Sequence, residues 1–300
     1  MKNQMPSVSV VIPSWNSESQ MKQNLPYVFA AAKKVDAEII IVDDASAFDK
    51  SYVYIKSLKD KVRGYENKTN LGYSATVNRG VTLAKGDLIM LLNTDVRPEP
   101  DCFLNALAYF EDDSVYSVGF NSGEAWMGAE WDRGLLQHFK VEPTNDNKNK
   151  VNSTCWASGG QAAFDRKKWL ALGGMDLLFK PFYWEDTDMG YRSWKRGWQN
   201  LWGPTCKCVH DHKKSVIANN FTKEFVMATA QRNQFLFLWK NISDLGYLLS
   251  HLIRLPYYLL KYPGPVGKAI LLLPKALIAR SKESKYWVKS DRDILKTWSR

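Results

Sequence analysis

Residues 86–95 read Gly-Asp-Leu-Ile-Met-Leu-Leu-Asn-Thr-Asp. Leu88 to Leu92 is a short, unbroken apolar run bounded by Gly86 and by polar residues. Such a run predicts a strand buried on both faces, central in a mostly parallel sheet. It delivers Asn93-Thr94-Asp95 to the strand's carboxyl edge, and Pro98 and Pro100 oppose continuation. Ligands of open α/β sheets sit outside that edge. A carboxylate there can hold a hard divalent cation against a phosphate. The competing reading is that Asp95 caps a helix beginning near Pro100, and this segment alone does not separate the two.

Neighbouring segments repeat the theme. Ser7 to Ile12 predicts a first strand ending at Pro13-Ser14-Trp15-Asn16, and Glu38 to Val42 a second ending in Asp43-Asp44-Ala45-Ser46. A short third strand covers Val62 to Glu66. Helices are expected over residues 19–34, 49–59 and 71–84, the first with Leu25, Val28, Phe29 and Ala32 on one face. This alternation implies βαβ units and an α/β fold. Beyond Pro100 the pattern predicts a helix to Phe110 and a strand over Val115 to Phe120. A helix over Arg166 to Leu172 is stopped by Gly173-Gly174, and another after Asp188 is ended by Gly197. Residues 121–153 show no regular period, and the polar run 145–150 reads as a surface loop.

Three hundred residues exceed the usual single-domain length. A large domain over 1–220 and a helical extension over 221–300 are expected. The extension holds fourteen Lys+Arg against five Asp+Glu, so nine of the chain's ten net positive charges lie there. A basic tail on a near-neutral body suits an anionic partner. Nucleic acid is not the partner expected, because the tail lacks the aromatic–basic interleaving of a known module. No uninterrupted apolar run reaches the roughly 18 residues of a membrane-crossing helix, and the amino end lacks a signal-like apolar core. Cys102, Cys155, Cys206 and Cys208 do not make a disulfide framework, which points to a reducing, cytoplasmic compartment.

The three strand ends, Pro13–Asn16, Asp43–Ser46 and Asn93–Asp95, would emerge on one sheet edge, where a nucleotide could bridge them. The first turn carries no G-x-G-x-x-G and no Walker lysine, which disfavours a nicotinamide enzyme or a P-loop NTPase.

Six segments taken together resemble a family 2 glycosyltransferase of the GT-A fold: VSVVIPSWN (8–16), IIIVDDAS (39–46), NLGYSATVNRG (70–80), AKGDLIMLLNTD (84–95), ASGGQAAFDRKKWLALGGMD (157–176) and WEDTDMGYR (184–192). The N-x-D form, with a later E-D-x-D and a histidine, is similar to bacterial rhamnosyl- and galactofuranosyltransferases. The resemblance covers the first 212 residues. It implies a Rossmann-like sheet flanked by helices, and an inverting transfer of a sugar from a nucleoside diphosphate to a hydroxyl of a saccharide or lipid-linked acceptor. The first expectation for the sugar is rhamnose. An inactive nucleotide- or sugar-binding paralogue and a membrane-tethered scaffold are the alternatives.

The resemblance also distributes roles. Pro13, Trp15, Asp44, Asn70, Gly72, Asn78, Asn93 and Thr94 would form the nucleotide site; turn formation is the lesser reading of Asp44, and a tight turn an equal one of Gly72. Asp95 and His210 would hold Mn²⁺ or Mg²⁺ together with diphosphate oxygens. Asp186 would be the catalytic base, with Glu185 the alternative; Asp186 capping the next helix is the other reading. Asp188 and Arg192 read as an i, i+4 pair. Trp184, Trp156 and Trp126 are candidates for stacking on sugar, and Gly159-Gly160 would let substrate approach the backbone.

Cys206, Cys208, His210 and His212 alternate, but on a strand the outer pair would lie about 20 Å apart, too far for one zinc. In the tail, 245–262 and 266–282 combine apolar faces with Arg254, Lys261, Lys268, Lys275 and Arg280. Such helices lie in the headgroup plane of an anionic membrane or pack on the body. Peripheral attachment to the inner face of the cell membrane through 245–282 is the expectation, since many acceptors in the family are polyprenyl-linked.

Overall fold

The computed structural model describes residues 5–123, 125–211 and 220–298. Four strands form the parallel half of the main sheet: β1 (Val8–Ser14), β2 (Glu38–Asp43), β3 (Arg63–Glu66) and β4 (Leu88–Leu92). They lie in the order β3-β2-β1-β4, and all three pairings are parallel. Between them run α1 (Glu18–Lys34), α2 (Ser51–Ser57) and α3 (Tyr73–Leu83). All five residues of β4 are buried, as an unbroken apolar run requires. Within these strands side chains still alternate. Val10, Ile12, Ile41, Met90 and Leu92 pack with α1, while Val11, Ile40, Val42, Ile89 and Leu91 pack with α3. Of the expected α1 face, Leu25, Val28 and Ala32 are buried and Phe29 packs beside them.

The rest of the sheet is mixed. After β5 (Val96–Pro98) and the short α4 (Cys102–Leu107), β6 (Val115–Asn121) enters the sheet. Between β4 and β6 sits β10 (Gln161–Asp165), antiparallel to both. That orientation brings the amino end of β10, and Gly159-Gly160 before it, to the same edge as Asn93–Asp95. The chain then runs into α5 (Arg166–Ala171) and α6 (Glu185–Lys195). β11 (Gln199–His210) lies parallel to β6 and antiparallel to β5. All four cysteines are free and buried. Cys206 and Cys208 lie in β11, and His212 is outside the described residues.

Residues 121–153 depart from the expected irregular stretch. They hold a hairpin, β7 (Trp126–Asp132) and β8 (Leu135–Val141), and a two-residue strand β9 (Asn152–Ser153) on β11. Arg133 and Gly134 form its turn at φ 49° and 76°, the geometry of a two-residue hairpin. The run 145–150 does lie in turns.

The helical extension expected beyond residue 220 packs on the body. Its helices are α7 (Lys223–Asn241), α8 (Leu245–Lys261), α9 (Pro263–Ser284) and α10 (Asp291–Leu295). Phe235, Phe237, Tyr258, Val266 and Trp298 share one core with Leu136, Trp156, Trp184 and Tyr191 of the body. The amphipathic pattern of 245–262 was visible in sequence; the partner of its buried side was not.

Candidate active site

Four chain segments meet at the carboxyl edge of β4. The antiparallel register sets His210 of β11 opposite Val96 of β5, so the residue before Val96 lies diagonal to the imidazole. Asp95 Oδ1 stands 3.3 Å from His210 Nε2. That oxygen is buried and has no hydrogen-bond partner. His210 Nδ1 lies 3.1 Å from Gln161 Oε1. An amide oxygen can only accept, so the contact places a proton on Nδ1 and turns Nε2 to Asp95. A buried carboxylate oxygen with no hydrogen-bond partner is costly, and a divalent cation held between it and the imidazole would offset that cost. The donor set, one carboxylate and one imidazole, fits Mn²⁺ or Mg²⁺ if phosphate oxygens and water complete the sphere. Among the described residues no cluster of three or more His, Cys, Asp or Glu forms a metal cage.

Gly160 is fitted to this corner. Its carbonyl accepts from Asn93 N at 2.8 Å, and a Cβ at Gly160 would stand 2.2 Å from Asn93 Nδ2. Gly159 faces Tyr73, whose hydroxyl donates to the Gly159 carbonyl at 2.6 Å. Burial, together with the charges of Glu185, Asp186 and Asp95, pushes the Tyr73 phenol well above its usual range. All three carboxyls act on the same phenol.

Glu185 and Asp186 open α6 behind a strained turn. Tyr183 and Trp184 both adopt positive φ, 69° and 77°, which non-glycine residues hold only when neighbours enforce it. Asn233 of α7 does so: its buried amide donates to the carbonyls of Phe179, Phe182 and Tyr183 at 2.7, 3.0 and 2.8 Å. Arg232 donates to the Lys180 carbonyl. Burial, reinforced by the Asp186 charge, drives Glu185 up to about 8, and its Oε2 is unpartnered. Burial also raises Asp186, but Thr187 and Gly159 N–H groups oppose that rise, the former at 2.7 Å. Of the pair, Asp186 is therefore the better-stabilised anion.

Other candidates are placed differently from their expected roles. Both Asp44 oxygens are occupied, Oδ1 by Asn67 Nδ2 and Leu71 N and Oδ2 by Gly72 N, at 2.6 to 2.8 Å. Asp44 thus shapes the Leu71–Gly72 loop. Asn78 lies with both amide ends on Met175, donating to O at 2.8 Å and accepting from N at 2.9 Å. Thr94 points towards α1, with its carbonyl on Asn24 and its hydroxyl on Gln20. These bonds turn all three inward. Pro13 and Trp15 lie half-buried at the β1 end, Asn70 is exposed, and Gly72 takes φ 84° ahead of α3. The Trp184 ring packs between His138 and Phe237, which leaves it an anchor for the strained turn rather than a platform for sugar. Sequence reasoning missed Tyr73, Gln161 and Asn233. Only Gln161 left a signal, the polar residue directly after Gly159-Gly160 in a run that resumes apolar strand.

Asp188 is wholly buried and accepts from Arg192 at 2.7 Å, Lys240 at 2.9 Å and Asn241 at 2.8 Å. The expected i, i+4 pair is present, and it extends into a tie between α6 and α7.

A parallel βαβ half, a mixed half, and acidic groups gathered where they meet define a GT-A fold. The chain belongs to glycosyl transferase family 2, whose family model matches residues 9–170, more than half its length. A probable glycosyltransferase of Sulfolobus acidocaldarius is 24% identical over 198 residues, 63% of this chain and 42% of that protein. The chain thus spans less than half the length of that relative. Among solved structures, GalNAc-T7 with UDP, GalNAc and Mn²⁺ superposes with TM-score 0.63 at 19% identity, over 79% of this chain and 48% of the other. The mannosyltransferase PcManGT of Pyrobaculum calidifontis, with GDP-Man and Mn²⁺, superposes with TM-score 0.57 at 17% identity, over 98% and 80%.

Proposed function

We propose that this protein is a metal-dependent, inverting glycosyltransferase. It would move a sugar from a nucleoside diphosphate to a hydroxyl of a saccharide or lipid-linked acceptor. The observation that carries the reading is the unpartnered Asp95 Oδ1 beside His210 Nε2, on the same corner as the Glu185–Asp186 pair. Asp95 and His210 would hold Mn²⁺ or Mg²⁺; when bound, the cation offsets charge building on the departing diphosphate. The Mn²⁺ of the two solved relatives supports that choice. Backbone at Pro13 and Trp15 would hold the base, beside the Leu71–Gly72 loop that Asp44 orders. Asp186 would accept the acceptor hydroxyl's proton as its oxygen bonds the anomeric carbon. The bond from that carbon to the diphosphate breaks with its electron pair on the diphosphate, and one displacement inverts the centre. Rhamnose carried on dTDP is the first donor to try, on motif resemblance.

The test is a thermal-shift screen of UDP, GDP and dTDP with and without Mn²⁺. Asp95→Ala should abolish the metal-dependent part of the shift, whereas an unchanged shift would place the cation elsewhere. Asp186→Asn should keep the shift and lower transfer by roughly 10²–10⁴-fold.

A further inference from the structure

Beside the proposed metal corner lies a cavity of about 200 Å³, lined by Trp126, Trp156, Trp202, Lys140, Gln161 and His210 among others. The hairpin builds one side of it: in the β7–β8 register Lys140 stands opposite Met127, and Trp126 is one residue earlier. Trp126 and Trp202 pack with centroids 4.9 Å apart and planes at 36°, a wall with little freedom to collapse. His210 and Gln161 are shared with the Asp95 corner. The opposite wall, Trp156-Ala157-Ser158, runs directly into Gly159, whose N–H reaches Asp186.

We propose that this cavity is the acceptor subsite and that it takes a single sugar ring, so that the acceptor is a saccharide. The inference rests on the glycosyltransferase reading above and adds the acceptor class to it. The largely buried indoles of Trp126, Trp156 and Trp202 leave only part of their apolar surface on the cavity, enough to border a pyranose C–H face, while Gln161 and Lys140 supply hydrogen-bonding groups to its hydroxyls. A few polar groups set among aromatic walls orient a small polar ligand. The volume suits one ring, whereas a polyprenyl chain needs a longer apolar groove. A ring seated here would lie beside Ser158, the residue before Gly159, whose N–H reaches Asp186.

The test uses the full chain with Mg²⁺ and either UDP, GDP or dTDP. Methyl glycosides of glucose, galactose, mannose, rhamnose, N-acetylglucosamine and glucuronic acid are screened by saturation-transfer NMR and tryptophan fluorescence. Citronellyl phosphate serves as the lipid-phosphate arm. At least one glycoside should bind. Ala125→Trp, placed to fill the cavity, should weaken it at least tenfold while the nucleotide thermal shift persists, and Lys140→Ala should weaken it less. Nucleotide binding with no glycoside bound overturns the subsite and leaves the functional reading standing. Glycoside binding indifferent to Ala125→Trp does the same, as does citronellyl phosphate binding in place of every glycoside. Absence of any nucleotide shift in the wild type overturns both.

Discussion

At the scale of single residues, the decisive contrast is between Glu185 and Asp186. Burial drives Glu185 to about 8, so at neutral pH it holds a proton that its neighbour then need not. The linkage has a definite sign. A carboxyl whose folded pKa lies above its unfolded value binds more protons when folded, so its contribution fades as pH rises towards 8. Glu185→Gln removes that slope. Thermal melts should show the variant gaining on the wild type between pH 5 and pH 8.5, by roughly 2–4 °C for each kcal/mol recovered. A difference that stays flat with pH would mean Glu185 does not take up a proton on folding. Asp95, Asp186 and His210 could be proposed from sequence because the chain presents them in short motifs after strands or before a helix. Asp44, Asn78 and Thr94 look the same in sequence, yet Asp44 and Asn78 bond to the protein's own loops and Thr94 to α1. A polar residue at a strand end or helix does not declare whether its partner is a ligand or a backbone amide. Tyr73 was hidden for the converse reason: its hydroxyl matters through a carbonyl 86 positions away.

At the scale of elements, α6 is held in place by α7. Asp188 bridges Arg192 and Lys240 in a buried setting. Asp188→Ala leaves Arg192 to Glu283 at 3.4 Å and Lys240 to Asp176 at 2.7 Å, and should cost about 3 kcal/mol in urea unfolding, because the removed carboxylate is the fully buried partner of both. Asn233→Ala frees three carbonyls of the 179–183 turn. It should lower kcat by about tenfold or more through misplacement of Asp186 while leaving nucleotide thermal shifts intact. A fall in nucleotide binding instead would place Asn233 in a merely structural role. The strand-and-helix half was readable because apolar runs and helical periods coincide with their boundaries. The β7–β8 hairpin was not, since Trp126, Trp131 and Phe139 are spaced among charges and its turn is Arg133-Gly134 rather than Asn-Gly.

At the scale of the whole molecule, two surfaces of the tail have opposite fates. Its inner side completes a core with the body. Its outer side leaves Leu245, Leu249, Leu252, Ile253 and Leu260 more than half exposed along α8, next to exposed Arg254 and Lys261. No helix among the described residues is long and apolar enough to cross a membrane. A stripe of this kind favours lying along an anionic surface. Full-length protein should float with phosphatidylglycerol liposomes and lose that association when Leu252 and Leu260 both become Glu; protein left in the soluble fraction would show the stripe has another purpose. Composition gave the basic tail and its amphipathic pattern, but not its docking, because contacts across 100 residues leave no local trace.

The amide of Asn233 has one more implication, for the lineage rather than the molecule. A recombination breakpoint at position 220 would separate the turn behind Asp186 from the side chain that braces it. Carboxyl-terminal segments cannot then be traded among relatives as interchangeable modules. A descendant that acquires a new tail must acquire a matching brace with it, or re-evolve one before its chemistry returns.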